Sequence, residues 1–286
     1  MRDSFTFLKE TQGAEGGWAY SRHGAAAVEP TALVLLALDG RADATALLEP
    51  ARAWLLSVQN ADGGWGLNAL DPLSSWHTAW ALLALAGWRE AASSLQRGVD
   101  WLASVPVYRE TSLDVIQFYN RDLRIDISLS AWPWAPGEAS WVVPSALALL
   151  SSRNYPLSAE LQERLDEALH YLVDRRVPGG GWNVGNPAMF DGVLPAHTTP
   201  TALALLALHA HAPGLIQSGD LDVLRQVALS DGGAKALGWA LLALRTLDEE
   251  THAFRNQLLS LQEADGSWEG SPHTTAIALL GLEGAL

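Results

Sequence analysis

Three histidines and one glutamate stand just before apolar, helix-forming segments of the chain. His77 directly precedes TAWALLAL, while His197 and His273 stand close before TALALLAL and TAIALLGL. In the first copy of this segment, Glu29 takes the corresponding place. Histidine and glutamate are residue types that commonly transfer protons in enzymes. These four residues are therefore the first candidates for catalysis.

Two carboxylates have two interpretations each. If Glu29 is buried among apolar side chains, its pKa rises and it can serve as a general acid or base. Alternatively, it is an ordinary first-turn carboxylate stabilised by the helix dipole. Asp191, in the loop MFDGVLPAH before His197, has the same two interpretations. Both remain catalytic candidates from the sequence.

The three histidines also suggest a tentative metal site. His77, His197 and His273 belong to the second, fourth and sixth copies of the repeat. In a closed six-fold ring, alternate copies lie about 120° apart, and their imidazoles could reach the ring axis to bind zinc. The alternatives are hydrogen bonds to backbone or water, or a metal-free catalytic role. The sequence itself requires no cofactor.

Six tryptophans are candidates for contact with an apolar substrate. Aromatic faces attract a cation or bury an apolar chain, but the same rings also fill packed cores. Three of the six lie in the longest departure from the repeat, at about 107–141, which we expect to fold over one mouth of the domain. The candidates are Trp76, Trp80, Trp132, Trp134, Trp141 and Trp239.

The elements that position these residues are predicted to be six helix pairs. An apolar octapeptide recurs six times, as in TALVLLAL from Thr31. Ala and Leu favour helices, and segments that are apolar on nearly every side must be buried, so these are inner helices. Stretches with apolar residues on one side alternate with them and predict outer helices. They lie at 5–11, 44–58, 90–105, 158–175, 217–229 and 248–262.

This alternation predicts an all-α fold, an α/α toroid of six inner and six outer helices in a single domain over 1–286. A closed ring buries every inner helix, whereas an open solenoid exposes both ends. We therefore expect the first and last copies to touch. Several outer helices end in a Gly-Trp turn, such as QNADGGW at 59–65, which we interpret as a structural contact.

Composition excludes several classes of partner and site. The formal net charge is −14, from 18 Lys plus Arg against 32 Asp plus Glu, and no basic cluster indicates nucleic-acid binding. The absence of cysteine excludes thiolate metal sites and disulfides. The sequence contains no apolar run of about 18 residues, which a transmembrane helix would need. The first residues of the chain lack the pattern of a targeting segment. We expect a cytoplasmic protein with a hydrophobic small-molecule partner; peripheral membrane contact and the oligomeric state stay open.

The Gly-Trp turns resemble the QW motif of squalene-hopene and oxidosqualene cyclases. In that motif a basic residue, an aromatic-Leu pair, a Gln and a Gly-x-Trp follow in order. The copy that fits best consists of Arg52, Trp54, Leu55, Gln59, Gly63 and Trp65. In the fourth copy Arg176 stands at the Gln position. The resemblance implies the α/α toroid, which protein prenyltransferase β subunits share.

The resemblance also frames the functional hypotheses. In the two-domain cyclases an Asp-x-Asp-Asp-Thr motif supplies the acid that protonates the substrate, and that motif is absent here. An imidazolium with a pKa of ~6.5 is too weak an acid to replace it. The first hypothesis is a terpene-cyclase-like protein that acts on an isoprenoid or other lipid by acid–base or carbocation chemistry. The alternatives are a non-catalytic toroid that binds an isoprenoid or a protein, and a zinc-dependent prenyltransferase-like enzyme using the three histidines.

Overall fold

The computed structural model describes residues 3–189, 192–284 and 286. The described chain is helical apart from one short hairpin, as the repeat predicts. It forms two compact units, which we call unit 1 (Met1–Trp101 with Gly232–Leu286) and unit 2 (Leu102–Asp231). No described helix combines the length and the apolar character needed to cross a bilayer.

The helix bounds match the predicted alternation closely. In chain order the elements are α1 (Ser4–Thr11), α2 (Val28–Ala37), α3 (Thr45–Ser57), α4 (His77–Leu85), α5 (Ala92–Ser104), α6 (Leu113–Phe118), α7 (Val142–Ser152), α8 (Ala159–Asp174), β1 (Ala188–Met189), β2 (Gly192–Val193), α9 (Thr198–His211), α10 (Ser218–Asp231), α11 (Ala234–Thr246), α12 (His252–Ser260) and α13 (Pro272–Glu283). The strands β1 and β2 pair antiparallel.

The inner helices are α2, α4, α7, α9, α11 and α13, and nearly all of their residues are buried. Every residue of α7 is buried, for example. The outer helices α3, α8 and α12 bury only part of their surface, consistent with one wet face. The sequence therefore predicted both kinds of helix correctly.

In unit 1 the inner helices lie side by side in the order α4, α2, α13, α11. Helix α1 packs on α13, α3 on α2 and α12 on α11. The first and last copies of the repeat meet here: the Ser4 hydroxyl donates to the Gly266 carbonyl at 2.8 Å, and the Gln262 amide donates to Ser4 Oγ at 3.0 Å. The predicted contact between the two ends of the repeat is confirmed.

In unit 2 the inner helices α7 and α9 are neighbours, with α8 on α7 and α10 on α9. Unit 2 also contains the predicted insertion, within which α6 is a short additional helix. In both units, therefore, outer helices pack on inner helices, and α7 and α9 are each covered by the outer helix that follows in the chain.

The Gly-Trp turns tie four of the outer helices to the inner helices that follow them. The Trp65 indole donates to the Leu55 carbonyl at 2.7 Å, and the Trp65 backbone N–H donates to Thr78 Oγ1 at 2.9 Å. The Gln59 amide donates to the carbonyls of Gly63 and Ser94. The same indole and threonine contacts occur at Trp18, Trp182 and Trp268. These contacts fix where each inner helix begins, and therefore where its first-turn side chains lie.

The fourth copy replaces the glutamine with an arginine and an aspartate. The Arg176 guanidinium donates to the Leu215 carbonyl at 2.6 Å, and its Nε lies 3.0 Å from Asp220 Oδ1. The Asp220 side chain is fully buried and accepts from the backbone N–H groups of Gly181 and Gln217. An ion pair thus joins the outer helix to its neighbour, where the amides of Gln12, Gln59 and Gln262 do so in three other copies.

Candidate functional site

The first turns of four inner helices in unit 1 carry polar side chains that act on one another. Glu29 is in the first turn of α2, His77 begins α4, Lys235 is in the first turn of α11, and His273 is in the first turn of α13. Glu29 lies close enough to feel the charge of Lys235 and His273, and to influence His77. The inner helices therefore begin at the same end of unit 1 and gather these groups there.

Glu29 and His273 form the centre of this cluster. The His273 Nε2 atom lies 3.4 Å from Glu29 Oε1, and the two side chains are 7% and 13% exposed, respectively. The Tyr20 hydroxyl donates to the other carboxylate oxygen, Oε2, at 2.6 Å. We call Glu29, His273 and Tyr20 the carboxylate cluster.

The pKa of Glu29 lies below its ordinary value. Burial alone raises that pKa, but contact with His273, the hydrogen bond from Tyr20 and the charge of Lys235 together outweigh it. The sequence interpretation in which an apolar environment raises the pKa of Glu29 is therefore wrong. Because its pKa is lowered, Glu29 is an ionised carboxylate at neutral pH.

Tyr20 belongs to the cluster although the sequence analysis did not select it. Burial, followed by the nearby Glu29 charge, raises the pKa of Tyr20, so its hydroxyl stays protonated and donates. The Tyr20 ring lies 5.0 Å from the His273 ring, and its carbonyl accepts from Ser271 Oγ at 2.7 Å. Comparing the repeats could have found it: two residues after the motif tryptophan, the first copy alone has a tyrosine, where the others have Leu67, Val184 and Gly270.

His77 is buried and neutral. Burial lowers the pKa of His77 to about 4, which outweighs the opposing charges of Glu29 and Asp71. Its Nδ1 atom lies 2.7 Å from Ser75 Oγ, and its ring lies 4.5 Å from that of Trp76. The buried Nε2 atom has no hydrogen-bond partner among the described residues. A neutral imidazole cannot donate the strong acid proton that a polyene cyclisation needs.

Two of the predicted substrate-binding tryptophans lie inside unit 1. Trp80 and Trp239 are both 1% exposed, and their ring centroids are 6.0 Å apart. Trp76 is half-buried beside His77. Of the three, Trp76 is therefore the ring that a molecule approaching the helix N-termini can contact, while Trp80 and Trp239 contribute to the core.

The three histidines do not form the predicted metal site. Across the described ranges, no three His, Cys, Asp or Glu side chains lie together in a group that could hold a metal ion. His197 precedes α9 with an exposed side chain, and its backbone N–H donates to the Trp182 carbonyl at 2.8 Å. His77 and His273 are buried because they occupy first turns of inner helices, whereas His197 stands one residue before its helix. Asp191 lies outside the described residues.

In unit 2 the three predicted tryptophans have different environments. Trp132 is 2% exposed and its indole donates to the Leu102 carbonyl at 3.0 Å, so it is a structural contact like Trp65. Trp134 and Trp141 are half-buried. Trp141 lines a cavity of about 270 Å³ that the insertion helps to enclose.

The comparisons with known proteins agree with this architecture. Residues 1–110 match the sequence model of the squalene-hopene cyclase C-terminal domain. Among curated proteins, no sequence matches this chain. The fold is similar to that of the type II terpene cyclase MstE from Scytonema in complex with geranylgeranyl dihydroxybenzoate (substrate), with a TM-score of 0.64, 20% identity, and coverage of 98% of this chain and 94% of that one.

Other solved structures show how widely the fold occurs. A protein from Actinoplanes has a TM-score of 0.64 at 17% identity, covering 98% of this chain and 96% of that one. An alpha-amylase from Clostridium perfringens has a TM-score of 0.67 at 11% identity, with the same two coverages of 98% and 96%. Such low identities establish fold and leave activity to the site. The resemblance inferred from the Gly-Trp turns is confirmed: residues 1–110 match a squalene-hopene cyclase domain model, and the all-α fold of the chain is similar to that of type II terpene cyclases.

Proposed function

We propose that the protein binds an isoprenoid or another hydrophobic lipid and that Glu29 accepts a proton from it. The observation that carries this proposal is the carboxylate cluster at the N-terminal end of the inner helices. Glu29 is 13% exposed, contacts His273 and receives a 2.6 Å hydrogen bond from Tyr20. A carboxylate held in one orientation by two partners is suited to general base catalysis.

The protonation states of Glu29 and His77 exclude reactions that begin with protonation of an alkene by either group. Since Glu29 is ionised and His77 is neutral, neither is an acid strong enough to protonate an isolated alkene. A carboxylate can remove a proton from a carbon next to a carbonyl group, which gives a dienolate. Glu29 then returns the proton to a different carbon of the same dienolate, so the product is an isomer of the substrate. His273 lies 3.4 Å from Glu29 and holds the carboxyl group in place during both steps.

The substrate class is inferred from the fold and from the apolar surroundings. MstE, which shares the fold, binds a geranylgeranyl-bearing aromatic substrate. In this chain Trp76 and Tyr20 border the cluster, and aromatic faces favour both apolar chains and cations. A prenylated aromatic acid or phenol is therefore the first compound class to try.

The test is to incubate the purified protein with prenylated aromatics, linear prenyl alcohols and squalene, and to identify products by mass spectrometry. We expect an isomer of at least one lipid. Substituting Glu29→Gln removes the proton acceptor but keeps its shape, so turnover should fall by ~10²–10⁴-fold while lipid binding persists. The matched control is Glu49→Gln, because Glu49 is exposed on an outer helix and should leave turnover unchanged.

Other outcomes contradict the proposal in defined ways. Retained turnover in the Glu29→Gln variant removes Glu29 from the mechanism. A lipid that binds and is recovered unchanged identifies a carrier, the non-catalytic alternative. Stoichiometric zinc in the purified protein, lost on His197→Ala substitution, would instead favour the prenyltransferase-like alternative.

A further inference from the structure

The cavity in unit 2 has a wall of aromatic rings and a single carboxylate at its edge. It lies between the insertion, helix α8 and the loop after Trp182. It has a volume of about 270 Å³ and is lined by the rings of Tyr108, Tyr119, Trp141 and Tyr171, with aliphatic side chains between them. None of the residues of the carboxylate cluster lines it, so this is a separate place in the molecule.

The four aromatic residues border one cavity, so a small guest placed against this wall contacts more than one aromatic side chain. The face of an aromatic ring attracts a cation over a distance of ~6 Å. Tyr108 is 55% exposed, and the cavity can therefore be reached from solvent. The Tyr171 hydroxyl donates to the Ser140 carbonyl at 2.7 Å, which fixes that ring in the wall.

The charges at the cavity favour a positive guest. Glu110 lies on the wall, where its carboxylate accepts from the Tyr108 hydroxyl at 3.0 Å. Arg175 also lies on the wall, but its guanidinium is already hydrogen-bonded to Asp174 and stacked 4.5 Å from the Tyr171 ring. The Arg175 charge is thus neutralised by Asp174, whereas Glu110 has no cationic partner among the described residues. An anionic guest would meet Glu110 without finding a free cation.

We infer that this cavity binds a small organic cation of the alkylammonium class, held by the rings of Tyr108, Tyr119, Trp141 and Tyr171 and attracted by Glu110. Several ring faces around one carboxylate are the arrangement by which proteins recognise quaternary ammonium groups. The ligand is chosen by its charge and by a methyl-covered surface that fits an apolar wall. This inference does not depend on the proposed function, because it concerns different residues and a different ligand.

The test compares two ligands that have the same shape and differ in charge. Choline and its uncharged isostere, in which a quaternary carbon replaces the nitrogen, are titrated into the full-length protein by calorimetry. We expect choline to bind with a Kd roughly tenfold lower than that of the isostere. Equal affinity of the two, or no heat with either, overturns the inference. This comparison uses the unaltered protein and needs no variant.

Two variants then locate the site. Tyr119→Leu removes a half-buried ring from the wall and should weaken choline binding by about tenfold. The matched control is Phe118→Leu, because the neighbouring Phe118 ring is 50% exposed and does not line the cavity. Glu110→Gln should weaken choline binding and reduce its dependence on salt. Unchanged binding in a folded Tyr119→Leu protein, checked by circular dichroism, contradicts the assignment.

Discussion

The buried polar atoms of unit 1 fall into two groups, those with partners and those without. Glu29 has Tyr20 and His273, and the motif tryptophans have backbone carbonyls. In contrast, Trp80 Nε1, Trp239 Nε1, His77 Nε2 and His273 Nε2 are among the buried atoms without a hydrogen-bond partner in the described chain, although His273 Nε2 lies 3.4 Å from Glu29 Oε1. A buried donor without a partner reduces stability by about 1–3 kcal/mol. These atoms therefore make the contribution of the inner helices of unit 1 to the free energy of unfolding smaller than their buried apolar area alone would indicate.

This contrast predicts unequal losses of stability for two similar substitutions. Trp65→Phe removes a 2.7 Å hydrogen bond to Leu55 and leaves that carbonyl unpaired, while Trp80→Phe removes an N–H that bonds to nothing described. Both shrink a buried ring by a similar volume. We expect Trp65→Phe to lower the free energy of unfolding by about 1–2 kcal/mol more than Trp80→Phe, measured by urea denaturation. Equal losses would mean that Trp80 has a partner in solution.

The buried imidazole of His77 predicts a loss of stability in acid. Its pKa is about 4 in the folded state and ~6.5 in the unfolded chain, so the unfolded state binds more protons between these values. The free energy of unfolding therefore falls as the pH drops from 7 towards 4, by about 3 kcal/mol from this residue. In His77→Gln that part of the pH dependence should vanish. The exposed His209, changed to Gln, serves as the control and should leave the curve unaltered.

The sequence allowed some residues at this end of unit 1 to be selected as site candidates, but not all of them. Glu29, His77 and His273 could be selected because each stands at the start of an apolar segment. Their protonation states could not, since these depend on burial and on partners far away in sequence. Tyr20 was missed because its role arises from the Glu29 contact. His197 was selected as a catalytic and tentative metal candidate, and the structure shows it exposed just before its helix.

At the scale of helices and turns, the periodicity determined most of the architecture. Both kinds of helix follow from the apolar pattern, since a segment apolar on all sides must be inside. The insertion is different, because 107–141 has no repeat to compare with. Its expected place over a mouth of the domain remains a prediction, and its helix α6 and the cavity it lines were visible only in the structure.

In the Gly-Trp turn of the fourth copy, we expect stability to depend strongly on Arg176. Arg176→Ala leaves the fully buried Asp220 carboxylate without its cation, whereas Gln59→Ala removes only an amide that bonds to two carbonyls. Breaking a buried ion pair by removing one partner lowers stability by about 3–5 kcal/mol. We expect Arg176→Ala to lower the free energy of unfolding at least twice as much as Gln59→Ala, by urea denaturation. The double variant Arg176→Ala with Asp220→Asn should recover part of the loss; a further loss instead would contradict the ion-pair account.

At the scale of the whole molecule, the contact between the ends of the repeat creates the cluster. Glu29 belongs to the first copy and His273 to the last, and they meet because α2 lies beside α13. The contact between the first and last copies could be predicted from the sequence, since a row of inner helices whose ends stay apart exposes apolar surface at both ends. The single-domain organisation over 1–286 remains a prediction.

The central claim is that Glu29 accepts a proton from the lipid. Its most direct test is to run the lipid incubation in D₂O and to measure the mass of the product by mass spectrometry. A carboxylate that takes a proton and exchanges it with solvent before its return yields an isomer heavier by one deuterium. We predict this mass shift with the unaltered protein and with Glu49→Gln, and its loss with Glu29→Gln. A product that carries no deuterium, or one that Glu29→Gln forms equally fast, would contradict the account.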